Sequence, residues 1–314
     1  MIPLDQIRRA RDVLDGVALR TPLVRLDADT GAEIWLKLEL LQPVRSFKIR
    51  GAGSAVLQAT DEELAGGVLT ASAGNMAQGL SYVARSRGLT ATIVVPDHAP
   101  QTKIDAIERY GGRVIKVPYD EWWNTMVTGG YPGVDGLFVH PVADDRVMAG
   151  NGTIGLELVE QLDDFDAVVV PYGGGGLVTG IASAVKALRP EVRFYSSEPA
   201  TGAPVAATFA AGGTLTAVEY QPSFVDGSGS RELIPRVWEH ASELLDGAFA
   251  PSLDEVAAAV RLTAERARVI PEGAGALALA AALNNDVGRK VVCVVSGGNI
   301  DLSVLARILN GETP

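Results

Sequence analysis

The stretch VVPYGGGGL, residues 169–177, joins a run of apolar residues directly to four consecutive glycines. A continuous apolar run is typical of a strand that helices cover on both faces. Four glycines lose much backbone entropy on folding, so an ordinary strand-to-helix turn disfavours them. Their advantage is that several backbone N–H groups can approach an anion closely at the start of a helix. The stretch therefore predicts a phosphate site at the carboxyl end of a buried strand.

This glycine run differs from both common nucleotide-binding fingerprints. The dinucleotide fingerprint requires glycine at its first and sixth positions. When Gly173 or Gly174 is taken as the first, the sixth residue is not glycine. No Lys-Ser or Lys-Thr pair follows, as a P-loop requires. Two interpretations stay open, a tight turn without a ligand and a phosphate site of neither nucleotide type. We favour the phosphate site.

Two further strand ends run into equally small residues: VLTASAGNMAQG, residues 68–79, and VVSGGN, residues 294–299. Ligands bind at the carboxyl ends of strands in open α/β sheets, so we expect all three turns to open onto one crevice. Apolar runs alternate with helical patterns along the chain, which predicts an α/β fold with a mostly parallel, doubly wound sheet. The candidate strands are Ile34–Leu40, Gly67–Thr70, Ala91–Val95, Arg113–Val117, Ala167–Pro171, Arg193–Ser196 and Val291–Val295.

Helix starts are marked by two capping boxes, Thr60 with Glu63 and Ser252 with Glu255. One segment breaks the alternation of strands and helices. Tyr119–Asp145 contains two tryptophans, a Gly-Gly pair and a Pro-Gly pair. We interpret it as an irregular loop or a crossover between two lobes.

The composition excludes several classes of protein. The 314 residues include 38 acidic and 27 basic side chains, a formal net charge of −11, which argues against binding to nucleic acid or to anionic membranes. The hydrophobic fraction of 47% excludes intrinsic disorder. The single cysteine, Cys293, lies in an apolar run and is interpreted as a core thiol. With no signal-type or membrane-spanning apolar stretch, we expect a cytoplasmic protein.

The segment RSFKIRGA, residues 45–52, places Lys48 between the apolar residues Phe47 and Ile49, with an arginine on each side. Burial and nearby like charge both favour the neutral amine, which a lysine nucleophile or proton acceptor needs. The alternative is a solvated cationic patch with Lys48 pointing outward. The segment alone leaves both interpretations open.

Other chemistries find little support in the sequence. The three histidines, His98, His140 and His240, share no metal-ligand spacing. No Gly-x-Ser-x-Gly motif is present, so a serine hydrolase lacks its nucleophile.

Four motifs follow one another along the chain: SFKIRGA at residues 46–52, SAGN at 72–75, the glycine run, and SGGN at 296–299. In this order they resemble the fold-type II pyridoxal-phosphate (PLP) enzymes, most closely the branch of threonine and serine dehydratases and serine racemases. The segment AGNGTIGLE, residues 149–157, is similar to the Gly-Gln-Gly-Thr segment of that family. The resemblance implies a two-lobed fold similar to the tryptophan synthase β subunit, with mostly parallel sheets. It also implies a large PLP-binding domain of residues 1–59 and 142–314, a small nested domain of residues 60–141, and a homodimer.

The resemblance assigns site residues one by one. Lys48 would be the Schiff-base lysine and the carrier of the Cα proton, with Phe47 beside the ring. Asn75 would hydrogen-bond the ring hydroxyl of the cofactor, and Ser296 would sit at the pyridine nitrogen. The other implied cofactor contacts are Gly173, Gly174, Gly175, Gly176 and Leu177 around the phosphate, and Gly227 against the ring. The implied substrate-binding residues are Ser72, Ala73, Gly74, Asn75 and Met76.

The implied reaction is a β-elimination by a PLP-dependent lyase, which converts a 3-hydroxy amino acid of the serine or threonine type to a 2-oxo acid and ammonia. A racemase and a β-replacement synthase are the alternatives within PLP chemistry. Racemases of this branch have serine where this chain has Ala73, which disfavours racemisation. The glycine run disfavours a dinucleotide-dependent oxidoreductase, and a non-catalytic protein that binds PLP or an amino acid stays open.

Three positions depart from the family pattern. Met76 stands where the family usually has histidine, and Arg45 stands where it commonly has a small polar residue. Both border the expected substrate side, so a bulkier or an acidic 3-hydroxy amino acid is an open alternative to serine and threonine. The cation site of the family pairs a carboxylate matching Glu198 with an acidic residue six positions on, where this chain has Pro204. We therefore expect no strong divalent-metal site.

Overall fold

Ten strands and thirteen α-helices lie in the part of the chain that this computed structural model describes, residues 1–28 and 30–314. The strands are β1 Leu23–Arg25, β2 Glu33–Leu38, β3 Val68–Ala71, β4 Ala91–Pro96, β5 Gly112–Val117, β6 Leu137–Phe138, β7 Ala167–Pro171, β8 Arg193–Ser197, β9 Gly247–Phe249 and β10 Lys290–Val295. The helices are α1 Leu4–Val13, α2 Lys48–Leu57, α3 Asp61–Leu64, α4 Asn75–Ser86, α5 Gln101–Arg109, α6 Tyr119–Thr128, α7 Asp145–Gln161, α8 Gly176–Leu188, α9 Pro204–Ala210, α10 Pro235–Ala241, α11 Leu253–Leu262, α12 Gly273–Asn284 and α13 Leu302–Leu309.

The strands form two sheets. The larger sheet has the order β1-β2-β10-β7-β8-β9, and its edge strand β1 runs antiparallel to β2. The other strand pairs of this sheet are parallel, as are all three pairs of the smaller sheet, whose order is β5-β4-β3-β6. The prediction of an α/β fold with mostly parallel sheets is confirmed.

All seven candidate strands are present, with bounds that differ from the expected ones by at most two residues. The strands β1, β6 and β9 were not predicted, because two or three residues are too few to show a pattern. Both capping boxes are confirmed. The side chains of Thr60 and Ser252 each accept a hydrogen bond from a backbone N–H in the first turn of α3 and α11, respectively.

The interpretation of Tyr119–Asp145 as an irregular loop is wrong for its first part, which forms α6. Gly129 ends this helix with a φ of 71°, a left-handed conformation that glycine adopts without strain. The hydrophobic pattern gave no helix signal here, because α6 buries Thr125 and leaves Trp123 half exposed. Trp122 of α6 packs against a core cluster of Leu69, Val94 and Val117, but its neighbour Trp123 does not, and the glycine and proline residues after the helix gave the stronger signal for a loop.

The four strands of the smaller sheet lie between residues 68 and 138, inside the range expected for the nested domain. Helix α2 was assigned by sequence to the large domain, yet its residues Ile49 and Val56 share a hydrophobic cluster with Val68 and Ile93 of the smaller sheet. The division into residues 1–59 with 142–314 and residues 60–141 therefore stays a prediction.

Cys293 is fully buried in β10, and its Sγ lies 3.5 Å from the carbonyl oxygen of Ala278. Burial raises the pKa of this thiol, so it stays protonated. The interpretation as a core thiol is confirmed. None of the helices in the described residues combines the length and the apolar character needed to span a membrane.

A buried cluster of two cations and two carboxylates joins β2, α2 and α7. Arg50 of α2 lies 2.8 Å from Glu39 and 2.6 Å from Glu157, and Lys37 lies 2.5 Å from Glu157. Burial alone would raise the pKa of Glu39, but Arg50 beside it holds that pKa below its usual value. Because the charges balance and every partner is buried, the cluster fixes α2 against the larger sheet and α7.

Arg50→Met should lower the free energy of unfolding by about 3–5 kcal/mol, because it leaves two buried carboxylates without their shared cation. Arg9→Met is the matched control. Arg9 pairs with Asp5 at 2.6 Å on the exposed face of α1, and such pairs contribute less than about 1 kcal/mol. Urea unfolding of both variants measures the two effects. Equal losses would show that the cluster has no special role in stability.

Candidate active site

One cavity of about 520 Å³ collects the carboxyl ends of β3, β7 and β10. The expectation that three strand ends open onto one crevice is confirmed. All the site residues that the sequence singled out line this cavity. They are Phe47, Lys48, Ser72, Ala73, Gly74, Asn75, Met76, Gly173, Gly174, Gly175, Gly176, Leu177, Gly227 and Ser296.

Lys48 is the first residue of α2, and its Nζ donates a hydrogen bond of 3.0 Å to the carbonyl oxygen of Pro141. Burial lowers the pKa of this amine to about 8. The predicted contribution of like charges is wrong, because Arg45 is exposed and Arg50 is paired with two carboxylates. The outward-pointing alternative is also excluded, since Lys48 lines the cavity.

The SGGN motif holds the lysine segment in place through backbone hydrogen bonds. The N–H of Phe47 donates to the carbonyl of Ser296 at 3.0 Å, and the N–H of Gly298 donates to the carbonyl of Arg45 at 2.9 Å. Arg45 has a φ of 58°, a left-handed conformation that costs energy for a side chain other than glycine. The two backbone hydrogen bonds help to offset this cost, and the turn at Arg45 brings Lys48 to the cavity.

The glycine run forms a cradle at the start of α8. Gly175 is the N-cap residue, with a φ of 87°, and the first N–H groups of the helix have no acceptor within it. A Cβ at Gly174 would lie 2.7 Å from the side chain of Val142, and one at Gly176 would lie 2.7 Å from its carbonyl oxygen. Only glycine therefore lets the loop and residue 142 approach this closely. The positive end of a helix dipole without side-chain obstruction fits a phosphate group.

Asn75 is held by two neighbours that sequence reasoning missed. Its Nδ2 donates to Oε1 of Glu272 at 2.7 Å, and its Oδ1 accepts from Nδ2 of Asn299 at 2.7 Å. An amide nitrogen has two hydrogens, so Nδ2 keeps one donor for a ligand. Burial, with a smaller effect of Asp226, raises the pKa of Glu272 to about 7. In the sequence, Glu272 is a single charged residue between Pro271 and the apolar helix α12. This arrangement resembles an ordinary helix start, so it did not indicate a site residue.

Two further titratable groups, His140 and Glu198, do not line the cavity. Burial, together with Lys48 and Arg236, lowers the pKa of His140 to about 4. Its Nδ1 accepts backbone hydrogen bonds from Val142 and Ala143, so this histidine is satisfied as a neutral ring. Glu198, the expected cation-site carboxylate, accepts from backbone N–H groups at the start of α9. The expectation of no metal site stays a prediction.

These residues fit pyridoxal phosphate. The cradle suits its phosphate, the uncrowded amine of Lys48 suits its aldehyde, and the free donor of Asn75 suits its ring hydroxyl. Two parallel sheets with such a cavity define a fold-type II PLP enzyme. The individual contacts remain proposals.

The chain belongs to the family of pyridoxal-phosphate dependent enzymes, whose model matches residues 14–297. It is 40% identical to an L-threonine ammonia-lyase of Thermotoga maritima, over 99% of this chain and 79% of that protein. It is 35% identical to a serine racemase of Arabidopsis thaliana, over 95% and 93%. The structure matches that of maize serine racemase with a TM-score of 0.90 and 31% identity, over 98% and 96% of the two chains. The predictions of this family, its fold and its cofactor are confirmed.

Pyridoxal phosphate followed by borohydride should label Lys48 in preference to the other lysines, because only a neutral amine attacks the aldehyde. Labelling should rise with pH, reach about half of its maximum near pH 8, the pKa of Lys48, and level off about one pH unit higher. Peptide mass spectrometry locates the label. Lys103→Ala removes a second lysine of the same cavity and should leave the labelling intact. Labelling that keeps rising well above the pKa of Lys48 would contradict the assignment.

Glu272→Gln should change how the stability of the apoprotein depends on pH. Because the pKa of Glu272 is raised to about 7 from 4.5, the folded state holds its proton over that interval and the unfolded state does not. Wild type therefore loses stability as pH rises through this window, by up to about 3 kcal/mol. Melting curves should show that the stability of the variant relative to wild type rises from about pH 5 to about pH 8. Glu62→Gln, on an exposed carboxylate, should show no such gain.

Proposed function

We propose that this enzyme is a dehydratase, or ammonia-lyase, that converts a 3-hydroxy amino acid to a 2-oxo acid and ammonia. The observation that carries the proposal is the amine of Lys48, which lies in the cavity with a pKa of about 8 and no carboxylate partner. The threonine ammonia-lyases among the relatives, at 34–40% identity, support the same reaction.

The chain offers contacts for both ends of the cofactor. The backbone N–H groups of Gly173 to Leu177 would bind the phosphate, and Lys48 would bind the aldehyde. Asn75, held by Glu272 and Asn299, would hydrogen-bond the ring hydroxyl. Bound pyridoxal phosphate supplies an electron sink that stabilises negative charge on Cα of the substrate. Ser296 would offer a hydroxyl to the ring nitrogen in place of a carboxylate, which suits elimination.

The substrate is held through backbone donors at the start of α4. Gly74 is the N-cap residue of α4, and the first N–H groups of this helix have no acceptor within it, so they would bind the substrate carboxylate. The amine of Lys48 would accept the proton from Cα. The hydroxyl leaves from Cβ, and hydrolysis then yields the 2-oxo acid and ammonia.

Ala73 favours elimination over racemisation. A racemase needs a proton donor on the face of the substrate opposite the lysine, and the methyl group of Ala73 on the cavity wall has no proton to give. Because serine racemases are among the relatives, racemisation is the alternative activity.

Purified holoenzyme given L-serine or L-threonine should release 2-oxo acid and ammonia in equal amounts and no D-amino acid. Lys48→Ala should lower turnover by a factor of about a hundred to ten thousand, since it removes the proton acceptor. Lys116→Ala, at an exposed position of β5, is the control for general effects of losing a lysine. Chiral chromatography and an oxo-acid assay distinguish the outcomes. Formation of D-amino acid without oxo acid would favour a racemase.

We further propose that the enzyme is cytoplasmic and homodimeric. The single buried cysteine suits a reducing compartment. The homodimer rests on the resemblance to the family.

A further inference from the structure

Helix α6 places three large side chains on one wall of the cavity, which we call the aromatic wall: Tyr119, Trp122 and Met126. Spacings of three and four residues put them on one face of the helix. Trp123, the next residue, is half exposed and does not line the cavity. The face of α6 that lines the cavity also contacts the core through Trp122, which packs against Leu69, Val94 and Val117 of the smaller sheet.

Two rings of this wall lie against each other at a tilted angle, and His98 adds a third tilted ring. The ring centroids of Tyr119 and Trp122 lie 5.4 Å apart, and those of His98 and Tyr119 lie 6.3 Å apart. These separations are typical of favourable aromatic pairs. Because His98 also lines the cavity, three rings form a continuous row along its edge. A further ring in the cavity could extend the row.

The charges of the cavity disfavour an acidic side chain on the substrate. Lys103 lines the cavity but lies 2.5 Å from Asp226, which neutralises it. Among the described lining residues, Lys48 is the remaining lysine, and it serves the reaction. Arg45 is exposed and does not line the cavity. Of the two alternatives to serine and threonine, a bulky apolar substrate fits better than an acidic one.

We propose that the aromatic wall is the side-chain subsite, and that the preferred substrate is a 3-hydroxy amino acid with an aromatic ring on Cβ, of the phenylserine type. This inference rests on the proposed function. The Cα–H bond of the substrate breaks with transfer of the proton to Lys48, and the Cβ–OH bond breaks with loss of water. Hydrolysis returns the water and releases ammonia, so the products are a 3-aryl-2-oxo acid and ammonia.

Steady-state kinetics of the holoenzyme with L-serine, L-threonine and L-3-phenylserine test the subsite. Wild type should prefer phenylserine to threonine in kcat/KM by about tenfold or more. Trp122→Ala should reduce that preference by about tenfold, mainly through the KM for phenylserine. Trp123→Ala is the matched control, on the same helix but outside the cavity, and should keep the preference. The visible absorption band and melting temperature verify that each variant is folded and loaded.

A binding measurement separates this inference from the proposed function. Calorimetry of the holoenzyme with L-phenylalanine and L-alanine, which carry no leaving hydroxyl, should show tighter binding of phenylalanine in wild type and in Trp123→Ala. That advantage should be lost in Trp122→Ala. If no amino acid releases an oxo acid but phenylalanine keeps its advantage, the proposed function fails and the subsite stands. Equal binding of both amino acids, or a preference for threonine over phenylserine in turnover, would overturn the subsite.

Discussion

The site depends on how the fold distributes counter-charges between two lysines. Lys37 is fully buried and lies 2.5 Å from Glu157, inside a cluster with balanced charges. Lys48 is partly buried and has the carbonyl of Pro141 and the ring face of Phe47 as its neighbours. Burial lowers the pKa of both amines, but the carboxylates of Glu157 and Glu39 offset part of this effect for Lys37. Lys37 therefore belongs to a structural cluster, whereas Lys48 stays available for chemistry.

The same cluster explains why the reactive lysine is held firmly. Arg50 follows Lys48 by two residues on α2, and its two carboxylate partners come from the segment after β2 and from α7. Backbone hydrogen bonds from residues 296–298 hold the segment before α2. The start of α2 is thus fixed on both sides by contacts that place no charge on Lys48. Because Lys48 is already held in place, substrate binding energy is not needed to order the lysine and can be used to orient the substrate.

The lining of the cavity combines two chemical characters. One part consists of backbone donors, small side chains and the hydrogen-bonded pair of Asn75 and Glu272. Another part consists of the side chains of Tyr119, Trp122 and Met126 on α6. The proposed cofactor contacts lie mostly at strand ends, whereas the aromatic wall lies on a helix. The proposed reaction and the proposed selectivity therefore involve separate elements of the chain.

The sequence by itself determined the family and the mostly parallel sheets, because glycine runs and buried strands are local patterns with few alternatives. It also predicted the phosphate cradle and the role of Lys48, which stay predictions. It left the charge of Lys48 open, and repulsion from Arg50, one of the reasons it gave for a neutral amine, was wrong. Only the tertiary structure showed that Glu39 and Glu157 neutralise that arginine, that Glu272 binds Asn75, and that α6 faces the cavity. These contacts join residues far apart in the chain. Whether a charge is paired or a tryptophan meets a ligand depends on which distant segment packs against it, and local sequence does not specify that packing.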